Sequence, residues 1–552
     1  MKARLRILSL LFIVSLVLAA CGGSSSTPST SSGDTQETAT VSNQEGGAGG
    51  DGTLVIAIPN DVQNLDPTLS SGDIMTQEVL TAVYSFLVDF ELTERDGQLF
   101  GDPDSFVGNV AESYEISEDG TKITFHLREG IKFSNGDPIN AEAVKFTYDR
   151  IFGQNGVTAA LTRMAAVDGP DSIKVIDDTT VEFTLSTPNN LLFGNMAQFG
   201  HAILNPNVVK PHMTNDDPWA HEWLSANTTG TESGPYMIES REPGNQIVLV
   251  RNPYYWGEVK NEKVILKIIP DASSRLAQLR AGAVDIAYDI PTKDLAALEG
   301  DSSLTIHRNT TRAVTYIGMN NEVEPFNNKL VRQAISYAVP YQTIIDQVLN
   351  GYGIQLTSVI PDGTATHTDE FFVYKEDLAK AKELLDQAGY PNGFQTTMTI
   401  PNDNAEAKEI AVWVQSNLRQ IGVEVTIQEM PGAAFNEQLQ RREHAFFLHT
   451  WISINNDPFY HVYWLLRSDC CNYARYQNDE VNQLIDQYML STDADAREQA
   501  SLDIQRMAVE DAPWIFLYQP DKVVVTRSDV EGYAFYSADR YVRYTTLHKT
   551  GS

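Results

Sequence analysis

Apolar positions along this chain recur with two periods. Leu54-Val-Ile-Ala-Ile58 is an unbroken apolar run stopped by Pro59, the pattern of a strand buried on both faces. Ile123, Phe125 and Leu127, and later Val181, Phe183 and Leu185, alternate with polar residues and predict half-exposed strands. The period then lengthens. Leu330, Ala334, Ile335, Ala338 and Val339 share one helical face, as do Leu378, Ala381, Leu384, Leu385 and Ala388, which Gly389 closes. Ile410, Val414, Leu418 and Ile421 form a further helix that stops at Gly422 and turns directly into the strand Val423–Ile427. Helix, short turn and strand in succession predict an α/β protein. Turn chemistry supports these boundaries: Glu118-Asp-Gly120 leads into the Ile123 strand, Ser134-Asn-Gly-Asp-Pro138 makes a second turn, and Asn140 is placed to cap a helix running from Ala141 through Tyr148. No repeat of 20 to 50 residues is present, which removes solenoids and propellers.

The N-terminus follows a different pattern. Lys2, Arg4 and Arg6 precede an apolar run from Ile7 to Ala20 that is too short to span a bilayer comfortably but has the length of a signal-peptide core. It ends in Leu18-Ala-Ala-Cys21, with small residues before the cleavage point and a thiol at the first mature position. Residues 1–20 therefore read as a signal peptide and Cys21 as the site of lipidation. Residues 21–52 are almost wholly Gly, Ser, Thr, Asn, Gln and acidic residues, too poor in apolar area to fold, and read as a flexible tether ~30 Å long as a random coil. The folded body is 53–552. No later stretch reaches 18 consecutive apolar residues, so the lipid is the expected contact with the membrane: the protein is exported and anchored at the outer face of the cytoplasmic membrane or in the periplasm.

Charge narrows the choice of partner. Lys and Arg number 40 against 73 Asp and Glu, a formal net charge of −33 that repels nucleic-acid backbones. The usual catalytic spacings are missing: there is no G-x-x-x-x-G-K-[ST] loop, no G-x-G-x-x-G opening a helix, no H-E-x-x-H, and Gly230-Thr-Glu-Ser-Gly234 carries its Ser one place too late for a nucleophile elbow. His444, His449 and His461 are irregularly spaced in an aromatic-rich segment and read as core or pocket-wall residues. Asn215-Asp-Asp217 reads as cap and turn. The chain predicts neither an enzyme nor a cofactor or metal.

A series of segments in order along the body carries a family resemblance: Asn64-Leu-Asp-Pro67; Glu118-Asp-Gly-Thr-Lys-Ile-Thr-Phe-His-Leu-Arg-Glu-Gly-Ile-Lys-Phe-Ser-Asn-Gly-Asp-Pro138; Ser233-Gly-Pro-Tyr236; Arg251-Asn-Pro-Tyr-Tyr-Trp256; Pro325-Phe326 leading to Val331-Arg-Gln-Ala334; Ala388-Gly-Tyr-Pro-Asn-Gly393; Ile421-Gly-Val423; Trp451 with Asp457-Pro458; and Asp511-Ala-Pro-Trp-Ile-Phe-Leu-Tyr518. Together they resemble the family 5 extracellular solute-binding proteins, the oligopeptide, dipeptide and nickel receptors of ABC importers. The resemblance implies a two-lobed periplasmic-binding-protein clamp (type II, cluster C) with an extra inserted domain: one lobe from approximately 54-84, 186-312 and 523-552, the insertion at 85-185, and the second lobe at 313-522. It implies a monomeric receptor that closes on a small solute and docks on a permease served by a separate ATPase.

The same resemblance nominates ligand-binding residues. Gly72 and Asp73 follow the Leu-Asp-Pro motif where relatives contact ligand, although Asp73 is equally placed to cap a helix from Ile74. Trp451 offers an aromatic face for a peptide or a sugar. Peptide-binding relatives carry an Asp three residues after this Trp that pairs with the peptide ammonium; here the position is Ile454, so either another carboxylate such as Asp73 or Asp457 takes over that pairing, or the ligand has no free amino terminus, as an oligosaccharide, a glycoconjugate or a metal chelate. Asn455 and Asn456 either bind an uncharged polar ligand or make the turn before Pro458, Asp457 reads as a turn shaping the cleft wall, and Tyr316 reads as pocket lining or strand core. Cys470 and Cys471 are neighbours, and in an oxidising exterior a vicinal disulfide between them is expected.

Overall fold

The computed structural model describes residues 52–69, 74–537 and 542–550. The signal-peptide, tether and Cys21 assignments fall outside them, as do Gly72 and Asp73.

A twelve-stranded mixed sheet runs through the body. At one end, the strand Thr53–Ile58 lies parallel to Lys263–Ile268 and Ile286–Ala287; Leu54, Ile56, Ala57 and Ile58 are buried, while Thr53 and Val55 are half-buried. At the other, Gln395–Pro401 lies parallel to Glu424–Met430, joined by the helix Ala405–Gln420 in the βαβ arrangement that the sequence predicts. The two ends are stitched by a single strand of 14 residues, Trp514–Arg527. Its first part pairs with Ala313–Met319 and its second part with Leu304–Thr310 and Ile286–Ala287, all antiparallel. Two neighbouring connections, 310–313 and 518–521, therefore link these two ends of the sheet, and Thr310 faces Asp521 in register between them.

Residues 88–184 build separate structure. The four strands Ala111–Ile116, Lys122–Leu127, Thr180–Thr184 and Ile173–Asp177 form their own antiparallel sheet, against which the helix Ala141–Gln154 packs. Asn140 caps that helix, its side chain accepting from the Ala143 amide at 3.1 Å. The turn glycines Gly120 and Gly136 have φ of 68° and 90°, a backbone region that favours glycine. A hairpin of Val88–Arg95 and Gln98–Gly108 reaches back to pair with Ala534–Tyr536 near the C-terminus.

This part is tied to the rest by buried charge. Asp66 of the Asn-Leu-Asp-Pro motif and Arg150 of the Ala141–Gln154 helix are both fully buried, with Nη2 to Oδ2 at 2.5 Å and Nη1 to Oδ1 at 2.9 Å. Arg150 also donates to Thr68 Oγ1 and to the Trp219 carbonyl, and His221 Nδ1 lies 2.8 Å from Asp66 Oδ2. Burial by itself would raise Asp66, but the bonds from His221 and Arg150 outweigh it and hold the carboxyl below its usual range; the bond to Asp66 in turn raises His221. The Asp-rich turn before His221 also caps, with Asp217 accepting from the His221 and Glu222 amides at 2.8 Å. Among the described residues no helix is long and apolar enough to cross a membrane.

Candidate functional site

Trp451 sits near the end of the strand Phe446–Ile452, opposite Val314 of Ala313–Met319. It is half-buried, with Tyr460 stacked at 6.2 Å and His461 edge-on at 5.4 Å. Both of those rings come from the helix Pro458–Leu466 that follows, so the helix forms the floor beneath the indole.

Between strand and helix, residues 453–457 form a loop whose side chains reach into other parts of the molecule. Asn455 Nδ2 donates to the Leu191 carbonyl at 2.9 Å, at the start of the helix Leu191–Met196. A Cβ at Gly194 would stand 2.7 Å from that nitrogen, so only glycine admits this approach. Asn456 bridges two directions. Its Oδ1 accepts from Arg312 Nη1 at 2.8 Å, and its Nδ2 donates to both Asp104 oxygens at 2.9 and 2.8 Å. One amide thus links the 310–313 connection to the Gln98–Gly108 hairpin. Neither asparagine merely makes the turn before Pro458.

Asp457 caps the Pro458–Leu466 helix through the Phe459 amide at 2.8 Å and pairs with Arg497 at 2.5 Å, both partners being nearly buried. Burial holds its pKa above the usual carboxylate range, outweighing the pull of Arg497. Its role in this geometry is to hold the helix. Ile454 is half-buried and packs on the main core. Tyr316 is only 2% exposed, its ring among Phe447, His449 and Trp514; of its two readings, the structure has the strand core. Cys470 and Cys471 form a vicinal disulfide, their Cα atoms 3.8 Å apart, beyond the helix from the loop. Among the described residues no group of three or more His, Cys, Asp or Glu side chains is arranged to hold a metal ion.

The structure therefore brings Trp451, Ile454, Asn455, Asn456 and Asp457 together, whereas Tyr316, on the neighbouring strand opposite His449, packs away among Phe447, His449 and Trp514. It also adds two residues that sequence reasoning missed as members of the site, Asp104 and Arg312, and sets beside Trp451 the His461 that the sequence offers as core or pocket wall. Asp104 lies 352 positions from Asn456 and Arg312 lies 144, and no local pattern in the sequence announces either contact. Arg312 is 2% exposed, and His461 is completely buried. Burial, together with the positive charge of Arg312, pushes the imidazole well below its ordinary range, so it is neutral at physiological pH.

What this arrangement offers a small molecule is an aromatic face, flanking amides, and a loop bonded both to the Leu191–Met196 helix and to the Gln98–Gly108 hairpin. Residues 105–472 match the model of the bacterial extracellular solute-binding proteins, family 5 (middle part). The chain is 31% identical over 491 residues to the probable D,D-dipeptide-binding periplasmic protein DdpA of Escherichia coli, covering 87% of this chain and 91% of that one. It is 29% identical over 455 residues to heme-binding protein A of Haemophilus influenzae, covering 78% and 81%. Among solved structures it is similar to the ABC transporter-associated periplasmic binding protein DppA of Helicobacter pylori in complex with the peptide STSA, with a TM-score of 0.78, 26% identity, and 90% and 98% of the two chains covered. The fold is accordingly that of a two-lobed binding protein, and the chain belongs to the family 5 bacterial extracellular solute-binding proteins.

Proposed function

We propose that this protein is the lipid-anchored receptor of an ABC importer and captures a small peptide between its lobes. The observation that carries this reading is the 451–457 segment: a half-buried Trp451 followed by a loop whose Asn455 and Asn456 bond to Leu191 and Asp104 in two other parts of the body. A solute touching both sides of such a seam binds the closed form better than the open one and so shifts the population toward closure. Support for a peptide comes from the relatives named for D,D-dipeptides and crystallised with a tetrapeptide, and support for the importer from the same structure. In this reading the lobes are 54-84 with 186-312 and 523-552, and 313-522, with 85-185 inserted; Cys21 carries the lipid and residues 21–52 are the tether.

One observation favours a second ligand class. Position 454 is isoleucine, so the carboxylate that peptide-binding relatives set three residues after the tryptophan is missing here, and an oligosaccharide or a metal chelate is the alternative. A thermal-shift screen of the full-length protein in detergent, using dipeptides to pentapeptides, oligosaccharides and metal chelates, separates the two. A ligand at a hundredfold excess over Kd stabilises by ~2.7 kcal/mol. Peptide stabilisation that Trp451→Ala weakens by about 30-fold, the loss of one buried aromatic anchor, is the expected outcome. Stabilisation by sugars or chelates alone, or turnover of a bound peptide into fragments, refutes the reading.

A further inference from the structure

The polar groups around Trp451 differ in how much hydrogen-bonding capacity they have left. Both carboxylates near the loop are engaged: Asp457 with Arg497 and the Phe459 amide, Asp104 with the Asn456 amide. The two asparagine amides are engaged as well, with Leu191 and Asp104 as acceptors. His461 is the exception. Its ring is 0% exposed, yet neither Nδ1 nor Nε2 has a hydrogen-bond partner. A buried polar side chain with no partner costs free energy and calls for an explanation, commonly an unseen water or a ligand. The ring lies edge-on to Trp451, the residue offered as the aromatic anchor, and one turn along the helix that Asp457 caps.

The sign of the charge at this wall is also defined. Arg312 is buried beside Asn456 and close enough to depress the basicity of His461. Ile454 supplies no compensating charge. An ammonium brought against His461 would meet the field of Arg312, the charged group that acts on this ring, while the nearby carboxylates of Asp104 and Asp457 are already bonded to Asn456 and Arg497. A carboxylate would meet the favourable field of Arg312 and an N–H donor on His461, since a neutral imidazole always carries one. The second ring nitrogen would remain an acceptor, suited to a peptide N–H of the same ligand.

We propose that His461 is a specificity-determining residue that donates a hydrogen bond to the carboxylate end of the ligand, so that the peptide lies with that end beneath Trp451 and its amino end turned away from the 451–457 loop. This rests on the peptide reading of the preceding section. Its consequence is a substrate class: small peptides with a free carboxyl terminus, whose amino group can be acylated or otherwise blocked without loss.

The test uses the full-length protein in detergent with three pools of the same random di- and tripeptides: free termini, N-acetylated and C-amidated. Bound species are read by native mass spectrometry, and affinities of individual hits by calorimetry. The expected result is retention of the acetylated pool and at least tenfold weaker binding of the amidated one. His461→Phe should abolish that preference, while His461→Gln, which keeps an N–H donor, should retain it; circular dichroism melting of both variants checks that they fold. Amidated peptides binding as well as free acids, or acetylation weakening binding tenfold, overturns the assignment while leaving the peptide reading standing. An unchanged preference in folded His461→Phe also overturns it. If none of the pools binds, the peptide reading itself falls and this assignment falls with it.

Discussion

Replacing Arg150 by methionine tests how the helix Ala141–Gln154 is held to the segment around Asp66. Methionine fills most of the volume but withdraws four hydrogen bonds: two to Asp66, one to Thr68 Oγ1 and one to the Trp219 carbonyl. Asp66 is left fully buried. Removing one partner of a buried ion pair costs ~3–5 kcal/mol, because the remaining charge keeps its desolvation penalty without its counter-ion. Here His221 stays 2.8 Å away with a side chain 38% exposed, so it can protonate against Asp66, and the low end of about 3 kcal/mol applies. That is roughly 150-fold in an opening equilibrium. Hydrogen exchange resolved by mass spectrometry is the suitable assay, because a chain of several units does not unfold as one transition. Protection should fall over residues 61–69 and over the helix Ala141–Gln154, and much less over Ala405–Gln420.

The pH dependence has a definite sign. Asp66 is held below its ordinary value, so its contribution is present above the unfolded pKa near 3.8 and is lost as pH falls through the folded value. His221 is held above its ordinary value, so its contribution is full below 6.5 and is lost as pH rises through the folded value. In the methionine variant His221 is the remaining cation, and the loss on going from pH 6 to pH 8 should be larger than in the parent. Adding Asp66→Asn should restore at least half of the lost protection. A cost below about 1 kcal/mol, or a double variant no better than Arg150→Met alone, would refute the view that an uncompensated charge is the cause.

Glu78 gives a second test of pH dependence. Burial raises its pKa to about 7, against the pull of hydrogen bonds from Tyr544 and Tyr288, so the folded state holds a proton that the unfolded state releases near 4.5. Stability should fall by about 3 kcal/mol from pH 4.5 to well above 7, and Glu78→Gln should remove that slope when denaturant titrations of the two proteins are compared. Asp457→Ala removes a helix cap and strands Arg497, for an expected loss of ~3 kcal/mol centred on Pro458–Leu466, measured by exchange; a loss confined to ligand affinity would contradict the structural role. For the Cys470–Cys471 disulfide, alkylation under denaturing, non-reducing conditions should label neither cysteine and reduction should expose both; two reactive thiols before reduction would disprove the bond.

Local order was legible in the sequence where one segment decides its own structure. The run at Leu54–Ile58 became the strand Thr53–Ile58, the alternation at Ile123 became Lys122–Leu127, and the helical face ending at Ala388 became Leu378–Gln387 with Gly389 just beyond at a φ of 89°. These follow from side-chain periodicity and turn chemistry alone. The candidate site was legible only in part. Trp451 and the loop after it were found through family resemblance, yet Asn455 and Asn456 were read as local turn or ligand residues because nothing in their neighbourhood reveals Leu191 or Asp104. Arg312 is hidden for the same reason, because a buried cation looks like any surface arginine until the chain closes over it. His461 is legible as core or pocket wall, but its contact with Trp451 is not. The Asp66–Arg150 pair, 84 residues apart, was invisible even though Asp66 stands inside a recognised motif, because the motif specifies the turn and not its partner.

The two connections at 310–313 and 518–521 run side by side, with Thr310 set against Asp521 and the Thr311 amide and hydroxyl donating to the Pro520 carbonyl. Two independent linkers would let the proposed lobes swing through a cone of orientations. A hydrogen-bonded ribbon of two strands is stiff in its own plane and yields by twisting and by bending across it, which leaves essentially one soft coordinate. For the lobes proposed above, the expected open form is a narrow ensemble already aligned for closure, with little entropy left for the ligand to remove. An inserted residue in one connection should cost affinity even though it touches nothing the ligand touches, because it would turn a guided motion into a search.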